Sequence, residues 1–193
     1  MGGRGFPTIL YLDSEGEIIG RPSDRSIPAF RAMAGSLTEV AELAAKENRT
    51  QEEEVRYFEA RITLGRLKLE EAKEIAAALP KQPAEAAARI TAALNNLEIQ
   101  SQLDAVTSQK EAEAAGAVFA AMAKEGRTPS GGGLTAARFW LIIIEHARAA
   151  EDVAMFERAF TEVKTALGEE DRYKGLYEQL ANGLAELKGE GGN

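Results

Sequence analysis

A single change of rhythm constrains this chain more than any other feature. Before about Asn48 the apolar residues fall in two short runs and one helical stripe; after it they recur at steps of three and four to the end. A period near 3.6 held over so long a stretch admits helices and little else. Thr50 and Glu53 have the spacing of a capping box and open the first helix of this part. Val55, Phe58, Ile62 and Gly65 mark one face, and Leu69, Ala72, Ala76 and Leu79 continue it past a turn near Leu67-Lys68. Pro80 and Pro83 punctuate. A helix from about Ala84 carries Ile90, Leu94 and Leu97, then thins into a polar stretch rich in Asn and Gln. Ser108 and Glu111 open another, leading to Val118, Phe119 and Met122, with Gly126 as its stop.

The obvious loop of the helical part runs from Arg127 through Pro129 to Gly131-Gly132-Gly133. Beyond it, Phe139-Trp140-Leu141-Ile142-Ile143-Ile144 is apolar on nearly all sides and is expected at the centre of the helical array. This run is too short to span a bilayer. Val153, Phe156, Phe160, Val163 and Leu167 stripe the next helix, which Gly168 closes; Tyr173, Leu176, Leu180, Leu184 and Leu187 stripe the last. Short links between consecutive helices suit an α-hairpin array.

The first 48 residues read differently. Residues 8–13 form a short apolar strand, Asp13-Ser14-Glu15-Gly16 is turn chemistry, and Glu17-Ile18-Ile19-Gly20-Arg21 is a second strand. Ser26 caps a helix with Pro28 in its first turn, and Ile27, Phe30, Ala34 and Leu37 give it an apolar stripe. Gly35-Ser36 marks a kink, since Ser36 and Glu39 also have capping-box spacing.

The order Arg4-Gly5-Phe6-Pro7-Thr8, strand, Asp-Ser-Glu-Gly-Glu turn, strand, amphipathic helix resembles the C-terminal half of a thioredoxin-fold domain of the protein disulfide isomerase and bacterial thioredoxin kind. The resemblance covers residues 3–47. It implies that Pro7 is the family's cis-proline and that Phe6, Pro7 and Thr8 face a bound peptide. It also implies a preceding βαβ unit with a Cys-x-x-Cys dithiol, which this chain lacks. The chain has no cysteine at all, so it cannot carry out thiol–disulfide exchange, form a disulfide or build a thiolate metal site. The missing half leads us to expect that Met1 is an internal or misassigned start of a longer gene, with natural truncation the other possibility.

Residues 65–80 faintly resemble a tetratricopeptide repeat: a glycine, Leu69-Glu70-Glu71-Ala72, then Ala78-Leu79-Pro80. No second copy lines up on the 34-residue period, so a repeat array and a plain bundle both stay open.

Residues able to carry chemistry are few. His146 is the one histidine and lacks the partners a metal site needs, so a packing or helix-end role is expected. Glu52-Glu53, Glu70-Glu71 and Glu169-Glu170 are adjacent in sequence, so their carboxylates point apart and form no acid/base dyad. Ser130-Gly131-Gly132-Gly133 precedes a helix but lacks a phosphate-loop lysine and a preceding strand; a flexible loop is expected. A net charge of −8 disfavours nucleic acid and anionic membrane surfaces.

The expectation is therefore an α+β chain, mostly α. A truncated thioredoxin-like β-hairpin plus helix spans residues 1–48, and an α-helical hairpin array or bundle spans 49–193. The function expected is a non-catalytic protein- or peptide-interaction module. The alternative is the C-terminal portion of a thioredoxin-family oxidoreductase or chaperone whose dithiol half lies elsewhere. No catalytic residue, metal or cofactor is expected. The partner is expected to be a protein or peptide, without membrane insertion, and self-association through the hairpin edge is a further expectation. No secretory signal opens the chain; the compartment is cytoplasmic by default, or extracytoplasmic if a longer parent carries a signal.

Overall fold

The computed structural model describes residues 10–12, 18–20 and 27–189. The chain is mostly helical. Among the described residues two short strands, β1 (Tyr11–Leu12) and β2 (Ile18–Gly20), pair antiparallel with an irregular register, and eight α-helices follow. The motif Gly5-Phe6-Pro7-Thr8 lies outside the described residues. The chain divides into two compact units, Met1–Leu97 and Glu98–Asn193. The compositional boundary at 48/49 falls in the link between the first two helices, inside the first unit.

In the first unit, α1 (Ile27–Ala44) runs unbroken through Gly35-Ser36, so the second helix start at Ser36 is not used. Its buried face also differs from the expected stripe. Met33, Val40 and Leu43 are buried, with Phe30 and Leu37 partly so; Ile27 and Ala34 are exposed. The stripe 30-33-37-40 is as regular as the expected one. Packing against α2 (Gln51–Thr63) decides between them: Met33 and Val40 cluster with Ala60 and Leu64.

The capping box that opens α2 is present in full, with both the Thr50 side chain and the Glu53 carboxylate taking backbone N–H groups. Gly65 is not a face residue of that helix. It takes φ 68°, and the N–H groups of Gly65 and Arg66 donate to Ile62 O and Arg61 O. This is a Schellman ending, which favours glycine at the left-handed position. Leu67 is buried in the turn, and α3 (Leu69–Ala78) follows. Val55, Phe58, Leu67, Ala72, Ala86 and Ile90 form a second small core, to which the start of α4 (Ala84–Ala105) contributes.

The second unit holds the end of α4, then α5 (Gln109–Lys124), α6 (Leu134–Ala149), α7 (Val153–Leu167), one 3-10 turn (Asp171–Tyr173) and α8 (Lys174–Leu187). The polar stretch after Leu97 does not end α4. Ile99 and Leu103 are fully buried there, while Glu98 pairs with Arg127 and Gln100 accepts from Thr135. Packing runs in chain order, α5 on α6, α6 on α7 and α7 on α8. The helix α6 lies between α5 and α7 as expected, with Phe139, Trp140, Ile142, Ile143 and Ile144 all buried. Val118 does not join this core; it is 47% exposed on α5.

Candidate interaction surfaces

The sequence singled out Phe6, Pro7 and Thr8 as a peptide-facing site, and all three lie outside the described residues. The strand that follows them is tied to the first unit by Tyr11. Its ring centre lies 6.3 Å from that of Phe30, and its hydroxyl donates to Phe30 O at 3.3 Å. Leu12, the next residue along the strand, points the other way and is 52% exposed. The two-stranded sheet has a free edge on each side among the described residues.

His146 is a packing residue, as its isolation predicts. A side chain on Gly116 would place its Cβ 2.6 Å from His146 Cβ, so α5 and α6 cross where one has glycine and the other the imidazole stem. The three glycines before α6 form a tethered strap rather than a flexible loop. Gly133 N–H donates to Ala166 O at 2.8 Å, and a Cβ on Gly132 would lie 3.2 Å from the same oxygen. Gly131 and Gly133 have φ 101° and 87°, values that suit glycine. The Gly133 N–H is thus committed to the end of α7 and is not offered to an anion.

The adjacent carboxylates diverge as expected. Glu52 pairs with Arg89, while Glu53 pairs with Lys46 and Thr50. Glu70 pairs with Lys73 and Glu71 with Arg61. The Lys46 ammonium, followed by the Thr50 N–H, holds the Glu53 carboxyl down at about 2. Hydrogen bonds from Thr107 lower the Glu111 carboxyl, and burial raises the Tyr177 phenol, whose hydroxyl donates to Gly168 O. Arg89 gains basicity from Glu59 and then Glu52. These shifts belong to helix caps and ion pairs. Among the described residues no three His, Asp or Glu side chains converge as a metal site, and no buried residue is polar or charged. Nor is any described helix long and apolar enough to cross a membrane.

The sequence reading missed a groove of about 500 Å³ in the second unit. Arg148, near the end of α6, forms one wall; Gly175, Glu178, Gln179, Asn182, Gly183 and Glu186 of α8 line the rest. The Arg148 guanidinium lies over Gly183, where an added Cβ would sit 2.8 Å from Nη2. Its Nη1 donates to both Glu145 oxygens at 3.2 Å, and its Cζ lies 5.6 Å from the Phe156 ring centre. Gly175 has open space where a side chain would be. The available signal was the pair of glycines two turns apart on a helix of otherwise good formers; their partner on α6 is remote in sequence.

Comparison with protein families, with curated proteins and with solved structures finds no match for this chain.

Proposed function

We infer that this chain is a non-catalytic interaction module that binds a protein or peptide, in which a degenerate thioredoxin-like remnant precedes a helical scaffold. The observation that supports this reading is the neighbour-on-neighbour packing of α5 to α8 around a wholly apolar interior. An array built this way stacks each helix on the next and leaves long helix faces to solvent, the surfaces that helical-hairpin proteins use for recognition. With an apolar core, recognition rests on those faces and on the strand edges.

The test is selection of peptides from a random displayed library on the immobilised full chain, with an unrelated helical protein as control. Enriched sequences should share a pattern and bind with micromolar Kd. Enrichment no greater than on the control overturns the reading.

The order of strand, paired strand and helix over Tyr11–Leu12, Ile18–Gly20 and Ile27–Ala44 favours a second reading, a portion of a thioredoxin-family oxidoreductase or chaperone. On either reading this chain by itself leaves insulin disulfides intact at the rate set by dithiothreitol alone. Acceleration above that rate would contradict the requirement for a thiolate.

A further inference from the structure

We propose that Asn182-Gly183 is a site of spontaneous, one-way deamidation, held closed by α8 and by the Arg148 guanidinium and released when α8 opens. It does not depend on what the module binds.

The reaction needs only water. The Gly183 backbone nitrogen attacks the Asn182 side-chain Cγ. The side-chain nitrogen leaves as ammonia, taking the Gly183 N–H proton, and a succinimide ring closes. Water then opens the ring at one of its two carbonyls. Attack at Cγ leaves aspartate. Attack at the main-chain carbonyl leaves isoaspartate, with the main chain routed through Cγ and one carbon longer. A following residue without a Cβ lets the nitrogen approach. Asn182 is the one asparagine followed by glycine: Asn48 precedes Arg49, Asn95 precedes Asn96, Asn96 precedes Leu97 and Asn193 ends the sequence. No aspartate precedes a glycine. The Asn182 side chain is exposed, so water reaches it.

In the helix the pair is geometrically inert. Ring closure needs the Asn182 ψ turned well away from the helical value, so that the Gly183 nitrogen lies against Cγ. Both residues lie in the interior of α8, where the Gly183 N–H is spent on a carbonyl one turn back. Gly183 is also buried, and the Arg148 guanidinium rests on it, with Nη2 2.8 Å from where a Cβ would be. That guanidinium is held in turn by Glu145 and by the Phe156 ring. Moving the Gly183 backbone out of the helix must therefore displace Arg148.

The restraint is also light. α8 buries Leu180 and Gly183, whereas α6 buries eight residues and α7 six. Leu176, Tyr177, Leu184 and Leu187 are only partly covered. Gly175, Asn182 and Gly183 are poor helix formers. Segments with few buried contacts open at the lowest free energy. Each opening exposes the pair to reaction, and an isoaspartate formed then bars the helix from closing again through that point. The lasting result is loss of the α8 cover from Phe160, whose ring centre lies 6.4 Å from that of Tyr177.

The test incubates the full chain at neutral pH and physiological temperature, folded and in denaturant. Digests are followed by mass spectrometry, with electron-transfer fragmentation separating isoaspartate from aspartate. Product should be confined to Asn182, be mostly isoaspartate, and form about tenfold or more slowly in the folded chain than in denaturant. That ratio should match the protection of the Gly183 amide against hydrogen exchange, because one opening governs both. In denaturant, where the fold plays no part, Gly183→Ala should slow the reaction severalfold. Arg148→Ala should raise the folded rate severalfold and leave the denatured rate unchanged. The unfolding free energy of that variant is measured alongside. Acceleration beyond what global unfolding supplies supports the proposal; acceleration no larger than that overturns it. Product first at another asparagine, or equal rates in the folded and denatured chain, also overturns it.

Discussion

The two units are nearly equal in length and differ in how their described cores are built. In the second, twenty buried residues form one core, among them Phe119, Phe139, Phe156 and three consecutive isoleucines. Among the described residues of the first, two clusters of six and four buried residues form, with Leu43 buried outside both. Ion pairs accompany these clusters. Arg89 bridges Glu52 and Glu59, Arg56 pairs with Glu39, Arg61 with Glu71 and Arg49 with Glu54, and Arg49 also donates to Leu43 O. The Tyr57 ring has the guanidinium groups of Arg49 and Arg61 at 4.5 and 5.6 Å from its centre. Packed apolar area is insensitive to salt and pH, whereas half-exposed ion pairs are screened and titrate. Both units carry such pairs, since in the second Arg127 pairs with Glu98, Arg148 with Glu145 and Lys188 with Glu157; the contrast lies in the described cores, one large cluster against two small ones.

The contrast can be broken most forcefully in the core. Phe139→Ala removes a fully buried ring packed 4.9 Å from Phe119 and edge-on to Trp140, centre to centre 5.2 Å. It should cost about 3–5 kcal/mol. Unfolding followed by Trp140 fluorescence should shift strongly. A loss below about 1 kcal/mol would show that this core is looser than its burial indicates.

Gly116→Val comes next. It drives a branched side chain into His146 at the α5–α6 crossing and should cost about 1–3 kcal/mol. Double substitution with His146→Gly should recover part of that loss, because the nearest atom to the added Cβ is His146 Cβ, which alanine would keep. No recovery would move the strain to the backbone contact with Ile142 O.

A smaller effect of opposite sign is expected at Glu151. This residue closes α6 with φ 54°, the left-handed position of a Schellman ending in which Asp152 N–H donates to Ala147 O. Glu151→Gly should stabilise the second unit by about 0.5–1 kcal/mol in thermal unfolding. Destabilisation would mean that the carboxylate itself contributes.

The smallest expected effect is one of pH. Glu53 titrates at about 2 in the folded chain, against about 4.3 in an unfolded one. A depressed carboxyl contributes stability that is present above the unfolded value and is lost as pH falls from there through about 2. Carbon-detected titration should place the Glu53 midpoint near 2. Glu53→Gln should flatten the acid dependence of the first unit; an ordinary Glu53 midpoint would remove the capping interaction from the account.

These contrasts also explain what could be read in advance. The stripes of α2, α6 and α7 and the caps at Thr50, Gly126 and Gly168 are local, and spacing reveals them. The stripe of α1 was misplaced because Phe30-Leu37 belongs equally to two faces, and only Ala60 and Leu64 of α2 select between them. The second half of α4 looked like a fading helix because Glu98 and Gln100 are satisfied by Arg127 and Thr135, far along the chain. The groove was hidden for the same reason, since Arg148 and Gly183 meet only after α7 has brought the chain back.

The triple-glycine strap has a consequence for how the second unit comes apart. It ties the entry to α6 to the last turn of α7, so the start of one helix is fastened to the finish of the next. A turn between α6 and α7 alone would let that pair open like a clasp, one end at a time. With the strap in place the pair is closed at both ends, and fraying at Ala166 must release Gly133 as well. Shortening the chain at the end of α7 would therefore loosen residues far upstream of the cut.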